Sequence, residues 1–389
     1  MDFYRIRRLP PYVFAEVNAM KAAARAKGVD IIDLGMGNPD GAPPKHVIEK
    51  LAEVAQNPRA HRYSASKGIV SLRKAQAAYY QRRFGVELDP ESEVVVTLGS
   101  KEGLANLAQA ITAPGDVVLA PNPSYPIHQF GFIIAGAAIR SVPAAPGPEF
   151  FDRLTNAVRY TVPKPSVLVI GYPSNPTAYT ADLAFYEQVV AFAREHGLWV
   201  ISDLAYAEIY FGEEPTPSIL QVPGAKDVAI EFTSMSKTYS MAGWRIGFAA
   251  GNQTLINALT RVKSYLDYGA FTPIQAAATA ALNGPQDIVD ANRRLYKARR
   301  DCLIESFGRA GWNLPVPAAS MFAWAPIPEP FRAMGSVEFS KRLLAEAHVA
   351  VAPGVGFGEE GEGFVRIALV ENEQRLRQAA RGIKKFLNG

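Results

Sequence analysis

One cysteine, Cys302, is all the 389-residue chain offers. That excludes an internal disulfide and any metal site built from several thiolates. Cys302 falls within a helical pattern and reads as a small core residue. The five histidines (His46, His61, His128, His196, His348) show no metal-ligand spacing, so no metal centre is expected. No window approaches the length of a membrane span, and the opening MDFYRIRRLP lacks an apolar stretch of signal-peptide size. A reducing cytoplasm is the expected compartment, with no membrane partner. A strong charge of one sign is missing too. The 41 basic and 37 acidic side chains leave +4, too little and too scattered for a nucleic-acid footprint. The densest basic run, RRLYKARR (293–300), lies on a helical pattern and is read as a solvated helix face. Neither G-x-x-x-x-G-K-[ST] nor G-x-S-x-G occurs, so phosphate-loop and serine-esterase readings lack support. GVGFGEEGEG (354–363) imitates a dinucleotide loop, but acids stand where a helix start is needed, and Glu359, Glu360 and Glu362 would repel phosphate. It is read as a mobile loop.

What is present describes a folded, soluble chain: hydrophobic residues make up 48% and charged ones 20%. The length exceeds one ordinary core and predicts two domains or three. From 68 to about 250, apolar runs alternate with helical periodicity. Strands are predicted at 94–98, 116–120, 137–142, 167–172, 198–202, 228–233 and 245–251, with helices at 101–112, 126–135, 150–160 and 182–196. Near-continuous apolar strands spaced by helices mean a mostly parallel α/β sheet covered by helices on both faces. Further helices are predicted at 13–27, 253–267, 273–283 and 285–310. The tail changes character, with strands in ASMFAWA, HVAVAPG and GFVRIAL and helices at 336–347 and 371–388. The expected organisation is an N-terminal arm and part of a small domain (1–60), a large α/β domain (61–285) and a small α+β C-terminal domain (286–389), the N- and C-terminal parts packing together.

In open α/β sheets, ligands collect beyond the carboxyl ends of the strands. Three predicted strands end in polar clusters. In VVVTLGSKEGLANLAQAI a strand runs through Gly99 into a helix with Leu104, Leu107, Ala108 and Ile111 on one face. Its free N–H groups, with Ser100 as cap and Lys101 beside it, make an anion site, although a capped helix alone would explain the pattern. In VLVIGYPSNPTA, Asn175 stands between Pro173 and Pro176 on a stiffened loop; a plain turn is the alternative. In LWVISDLAYAEIY, Asp203 follows a strongly apolar strand and Tyr206 comes three residues later. A carboxylate there needs a cation or several donors, unless it caps a helix.

A fourth cluster, FTSMSKTYSMAGWRIG, gives the others a common purpose. Phe232, Met235, Met241, Trp244 and Ile246 surround Lys237, and lysine rarely enters such company without a partner. An amine in that setting has a lowered pKa and suits Schiff-base chemistry. A phosphate-binding helix start, an aspartate, a tyrosine and an asparagine at neighbouring strand ends then fit pyridoxal 5'-phosphate. Asp203 would keep the pyridine nitrogen protonated, and Asn175 and Tyr206 would hydrogen-bond the ring oxygen. Ser100, Lys101, Ser234, Ser236 and Arg245 would hold the phosphate.

With these residues placed, the chain resembles the fold-type-I pyridoxal-phosphate aminotransferases of class I/II. LGMGNPD, RYSASKGIVSLR, GSKEGLANL, PNPSYP, SNPTA, DLAYAEI, SMSKTYSMAGWRIGF and GFVRIAL occur in that family's order along nearly the whole chain. RLPPYVF, PNPSYPIHQFG, KSYLDYGAFTPIQ and MGSVEFSKRLL are especially similar to bacterial alanine (glutamate–pyruvate) transaminases. The resemblance implies that Lys237 binds the cofactor as a Schiff base and acts as the catalytic base. It also implies that Tyr125 stacks on the ring and that Arg366 clamps the substrate α-carboxylate with the Gly37 backbone and Asn175. Tyr63 would reach the neighbouring subunit's phosphate, making a homodimer with shared sites the active unit. An ordinary strand arginine and packing tyrosines would be the plain readings of Arg366, Tyr125 and Tyr63. One departure stands out: SNPTA has Ala178 where many members carry glycine. The expected activity is a ping-pong transamination between an L-amino acid, alanine, and a 2-keto acid, 2-oxoglutarate. LL-diaminopimelate or aspartate transamination, a pyridoxal-phosphate β-lyase, and a non-catalytic ligand sensor are the competing readings.

Overall fold

The structure is a computed structural model and describes residues 3–11 and 13–389. A two-residue strand, β1 (Ile32–Asp33), follows the helix Phe14–Ala26. Seven strands then build the large sheet: β2 (Val94–Thr97), β3 (Val117–Asn122), β4 (Ala138–Pro143), β5 (Val167–Ile170), β6 (Trp199–Asp203), β7 (Ala229–Ser234) and β8 (Gly247–Gly251). Their order is β2-β8-β7-β6-β5-β3-β4. Side chains alternate between two buried faces, which is why these strands are apolar throughout. Val95, Val118, Val167, Val169 and Ile201 pack under the helices Ser100–Ile111, Ile127–Ala135 and Gln253–Leu266. Val96, Leu119, Leu168, Ile170 and Val200 face the opposite core, with the helices Val70–Phe84, Pro148–Tyr160, Leu183–His196 and Thr272–Asn283. The edge strand β4 is largely exposed, as its polar sequence AIRSVP requires.

The sheet is mostly parallel, with one reversal that decides the site. β3 through β7 pair in parallel, whereas β8 runs antiparallel to both β7 and β2. The carboxyl ends of β2, β5, β6 and β7 therefore lie along one edge, and the reversed β8 begins there. Arg245, just before β8, arrives beside residues that follow the other strands.

The remaining strands are β9 (Phe322–Pro326), β10 (Val349–Ala350), β11 (Ala352–Pro353) and β12 (Phe364–Ala368). β11-β12-β9 form an antiparallel sheet, and β1 pairs in parallel with β10. Ile32 opposite Val349 ties the N-terminal segment to the tail. Together they enclose a second core around Leu34, Phe307, Trp312, Phe322, Phe339, Ile367 and Phe386, which includes the buried Cys302.

Packing departs from the sequence expectations at three places. Val47, on the helix Lys45–Ala55, is fully buried in the large core against the helix Thr272–Asn283, so that core reaches back before residue 60. The helix Asp287–Arg309 serves both cores, placing Val289 in the large one and Tyr296 in the small one. RRLYKARR on that helix is no uniformly solvated face. Arg299 is buried and forks onto Asp40 (2.8 and 2.7 Å), and Arg293 lies 4.0 Å from the Tyr210 ring centre. The segment expected as a mobile loop folds into two 3-10 turns, Gly354–Phe357 and Glu359–Gly361, stitched to the large domain by Ser124 N–H to Phe357 O (2.8 Å). Among the described residues, no helix is long and apolar enough to cross a membrane, and no cluster of three or more His, Cys, Asp or Glu could hold a metal ion.

Candidate active site

A cavity of about 390 Å³ opens between the strand ends and the second core. Lys237, Ser100, Lys101, Tyr125, Asn175, Asp203, Tyr206, Ser234, Ser236, Arg245, Arg366 and Gly37 all line it. Of the residues named from sequence, Tyr63 alone lies elsewhere. It is 85% exposed and packs on Tyr268 with ring centres 4.6 Å apart. It therefore contributes nothing to this chain's own cavity.

Lys237 occupies the one-turn helix Met235–Thr238 directly after β7. The Ser234 hydroxyl accepts the Ser236 N–H (3.1 Å) and caps that turn. Lys237 Nζ donates to Gly37 O at 2.6 Å. Burial, with the Arg366 and Arg245 guanidinium groups nearby, lowers its pKa from 10.5 to about 8. The amine is thus partly neutral near physiological pH.

One wall of the cavity is built around Gly99. This residue caps the helix Ser100–Ile111 with φ 85° and ψ 156°, a conformation open almost solely to glycine. A Cβ there would lie 2.1 Å from Arg245 Nη2, so the missing side chain is what admits the guanidinium. Arg245 itself holds φ 53° and donates to Ala242 O (2.8 Å) and Leu98 O (3.3 Å). Here one expectation is corrected. Ser100 is the first helical residue rather than the cap, and its hydroxyl donates to Thr233 O (3.0 Å), fastening the helix start to β7. The first N–H groups of the helix, which have no intrahelical acceptors, point out of this end beside Lys101 and Arg245.

At the other side, Asp203 ends β6. Its Oδ2 is 2.9 Å from His128 Nε2, and its Oδ1 accepts the Ala205 N–H (3.2 Å). Sequence reasoning missed His128. A signal existed, because PNPSYPIHQFG places a histidine one helical turn beyond Tyr125, toward the same cavity. Tyr125 meets the His128 ring edge-on at 5.9 Å and carries Lys101 Nζ 5.9 Å from its own ring centre. Tyr206 is buried, which pushes its hydroxyl pKa far up. Its ring packs edge-on against Phe322 (5.6 Å).

Arg366, on β12, is 7% exposed. Its Nη1 donates to Asn175 Oδ1 (2.8 Å) and its Nη2 to Gly35 O (2.7 Å). The guanidinium lies between two rings, 4.1 Å from the centre of Phe322 and 4.7 Å from that of Phe357. Neither phenylalanine was singled out from sequence, nor was Gly35. Gly37, expected beside the substrate carboxylate, spends its carbonyl on Lys237 here. Ala178, at the glycine position of SNPTA, holds φ 59°. The left-handed loop geometry is therefore kept without glycine, at a cost of about 1–2 kcal/mol.

Known proteins resemble this chain over nearly its whole length. Residues 29–383 match the model of the family described as aminotransferase class I and II. The chain is 57% identical over 382 residues to the glutamate-pyruvate aminotransferase AlaC of Escherichia coli K12, covering 98% of this chain and 93% of that protein. It is 44% identical over 383 residues to an LL-diaminopimelate aminotransferase of Moorella thermoacetica, covering 98% and 97%. Among solved structures, substrate-bound BacF of Bacillus subtilis superposes with a TM-score of 0.91 at 35% identity, covering 99% and 98%. Over nearly its whole length the chain belongs to the class I and II aminotransferases, a family whose cofactor is pyridoxal 5'-phosphate.

Proposed function

We propose that the enzyme moves the amino group of L-alanine to 2-oxoglutarate, giving pyruvate and L-glutamate in two half-reactions at one cavity. The observation that carries the chemistry is Lys237, an amine brought to a pKa of about 8 in the cavity that also holds Arg366 and Asp203. Pyridoxal 5'-phosphate, when bound, supplies an aldehyde for amines and a ring that takes up the electron pair left when a Cα–H bond breaks. The donor set fits that cofactor. Arg245 over Gly99, Ser100, Lys101, Ser234 and Ser236 would hold the phosphate. Asp203, steadied by His128, would keep a proton on the ring nitrogen. Asn175 and Tyr206 would bond the ring oxygen, and Tyr125 would cover a face.

Arg366 would take the substrate α-carboxylate as a paired fork. Phe322 and Phe357 hold the guanidinium plane, so the carboxylate and Cα would be held in one orientation. Lys237 Nζ, whose pKa of about 8 leaves a fraction of it unprotonated near neutral pH, would take the Cα proton.

Two facts support alanine and glutamate over LL-diaminopimelate. The similarity to the E. coli enzyme is the higher of the two. Among the described lining residues, Asp203 is the one carboxylate, and it is committed to His128. The distal ammonium of LL-diaminopimelate would meet no acid there, whereas a second substrate carboxylate would face cations. An amino-donor screen with pyruvate and 2-oxoglutarate as acceptors tests this. A higher kcat/KM for LL-diaminopimelate or aspartate than for alanine would overturn the assignment. Release of ammonia and pyruvate without any acceptor would point to the lyase instead.

The same reading includes a homodimer. Tyr63, Tyr265 and Tyr268 are 85%, 78% and 62% exposed, a dense group of aromatics for a surface facing water. Tyr63 on that face would reach the partner's phosphate. Sedimentation equilibrium showing a monomer at micromolar concentration would refute it.

A further inference from the structure

Lys263 is a fully buried cation that the proposed chemistry does not use. It stands on the helix Gln253–Leu266, and its Nζ donates to Glu102 Oε1 (3.1 Å) and Asp267 Oδ2 (2.9 Å). Glu102 belongs to the first turn of the helix Ser100–Ile111. Its other oxygen, Oε2, accepts the Leu98 N–H (2.8 Å), and Asn106 also donates to its side chain. Glu102 thus shapes the strand-to-helix bend that carries Gly99, and the Leu98 carbonyl in that bend accepts from Arg245.

A carboxylate in the first turn suits a bare helix start, but it repels a second anion arriving at the same N–H groups. Glu102 is only partly exposed, at 24% of its side chain, so water screens it weakly. An ammonium held against it offsets most of that repulsion at the helix start while leaving its hydrogen bonds in place, and Asp267 shares the same ammonium. Asp267 keeps that ammonium in position and bonds the Gly269 N–H (2.6 Å). Ser66 also donates to the Asp267 carbonyl, which fastens the segment before Tyr268 to the one after Tyr63.

We propose that Lys263 is a positioning residue for the phosphate cradle: it holds and screens Glu102, so that the bend at Leu98–Ser100 keeps its shape and still accepts a phosphate dianion. The proposal rests on the reading that this helix start and Arg245 hold the cofactor phosphate. Its signature is selective. Ligands carrying phosphate lose affinity when Lys263 is removed, and the same ring without phosphate does not.

The test titrates cofactor-free protein with pyridoxal 5'-phosphate and with pyridoxal, following the absorbance of the bound aldehyde. K263M is expected to weaken pyridoxal 5'-phosphate at least tenfold while pyridoxal stays within about twofold. E102Q/K263M, which removes the unpaired carboxylate nearest the helix start and leaves Asp267 farther along the chain, is expected to restore most of the phosphate-dependent affinity. An equal loss for both ligands, no loss for either, or no recovery in the double variant overturns the proposal. Should K263M fail to fold, E102Q carries the test: its preference for the phosphorylated ligand must hold or rise, and a tenfold fall overturns the idea. R245M separates the two layers. Loss of the phosphate preference there, with no selective loss in K263M, sinks the role of Lys263 alone. An unchanged preference in R245M sinks the phosphate assignment and the proposal with it.

Discussion

Replacing Lys237 with methionine should make the cofactor-free protein more stable at pH 7, although it removes the proposed catalytic base. The folded chain holds the Lys237 proton less tightly than the unfolded chain, because burial and two guanidinium groups lower the pKa from 10.5 to about 8. Between those values the unfolded state binds more protons, so stability rises with pH across that window. Below pH 8 the full penalty applies, about 3 kcal/mol at about 1.4 kcal/mol per pH unit. Methionine matches the length of the side chain and carries no charge. It forfeits the hydrogen bond to Gly37 O, worth about 1 kcal/mol, which leaves a net gain of about 2 kcal/mol.

With an unfolding entropy of about 2 cal/mol/K per residue, a chain of this length loses about 0.8 kcal/mol per degree near its midpoint. The expected rise in Tm is therefore about 2 to 3 °C at pH 7. Calorimetry of both cofactor-free proteins at pH 7 and pH 10.5 reads it directly. The gap should shrink or reverse at the higher pH, where wild-type Lys237 has shed its proton. A lower Tm for the variant at pH 7, or a gap that widens with pH, would refute the picture of a strained, catalytically poised amine. The trade is one of function against stability.

Asp203→Asn removes the charge that His128 steadies, and kcat/KM for alanine should fall by about ten- to a hundredfold, the worth of a charged hydrogen bond; steady-state kinetics check it. Gly99→Ala drives a Cβ to 2.1 Å from Arg245 Nη2 at a φ of 85°, and cofactor affinity in a titration should fall about five- to 150-fold, given about 1–3 kcal/mol of strain. Ala178→Gly relieves a left-handed alanine and should raise Tm by about 1 °C, because the relief of about 1–2 kcal/mol outweighs glycine's added chain entropy of about 0.5–1 kcal/mol. A fall in Tm would mean that the SNPTA loop is held by contacts stronger than its backbone preference.

The parts of the site that could be read from sequence are those whose surroundings are local. Lys237 announced itself because Phe232, Met235 and Met241 lie within five positions and are all buried beside it. Asp203 and Ser100 were visible because a strand end is visible, and strand ends are where an α/β sheet places ligands. The direction of β8 was not readable, since GFAAG alternates the same way whichever way it runs. Yet that reversal delivers Arg245 to the proposed phosphate wall. Arg299 reads like its neighbours in RRLYKARR because the fact that distinguishes it, Asp40, lies 259 positions away. The loop at 354–363 was misread for a related cause. Glycine serves free backbone and crowded backbone alike, and here a Cβ on Gly354 or Gly361 would come within 2.1 Å of the other's carbonyl oxygen or closer.

The small loop Gly35–Gly37 shows why distance in sequence limits such inference and what the fold gains from it. Asp33 Oδ1 accepts the Gly35 N–H (3.1 Å) while Oδ2 takes Lys21 (3.0 Å) from the helix Phe14–Ala26. Two residues on, the carbonyls of Gly35 and Gly37 receive Arg366 and Lys237, which stand 331 and 200 positions away from them. One short segment therefore sets the spacing between the proposed carboxylate clamp and the proposed base. Backbone carbonyls do this with no side-chain signature, so LGMGNPD pointed to the Gly37 backbone but not to its carbonyl on Lys237 or to Gly35 on Arg366. It follows that substitutions at Lys21 or Asp33, remote from any reacting atom, act on both groups together, because a shift of the loop moves both acceptors at once.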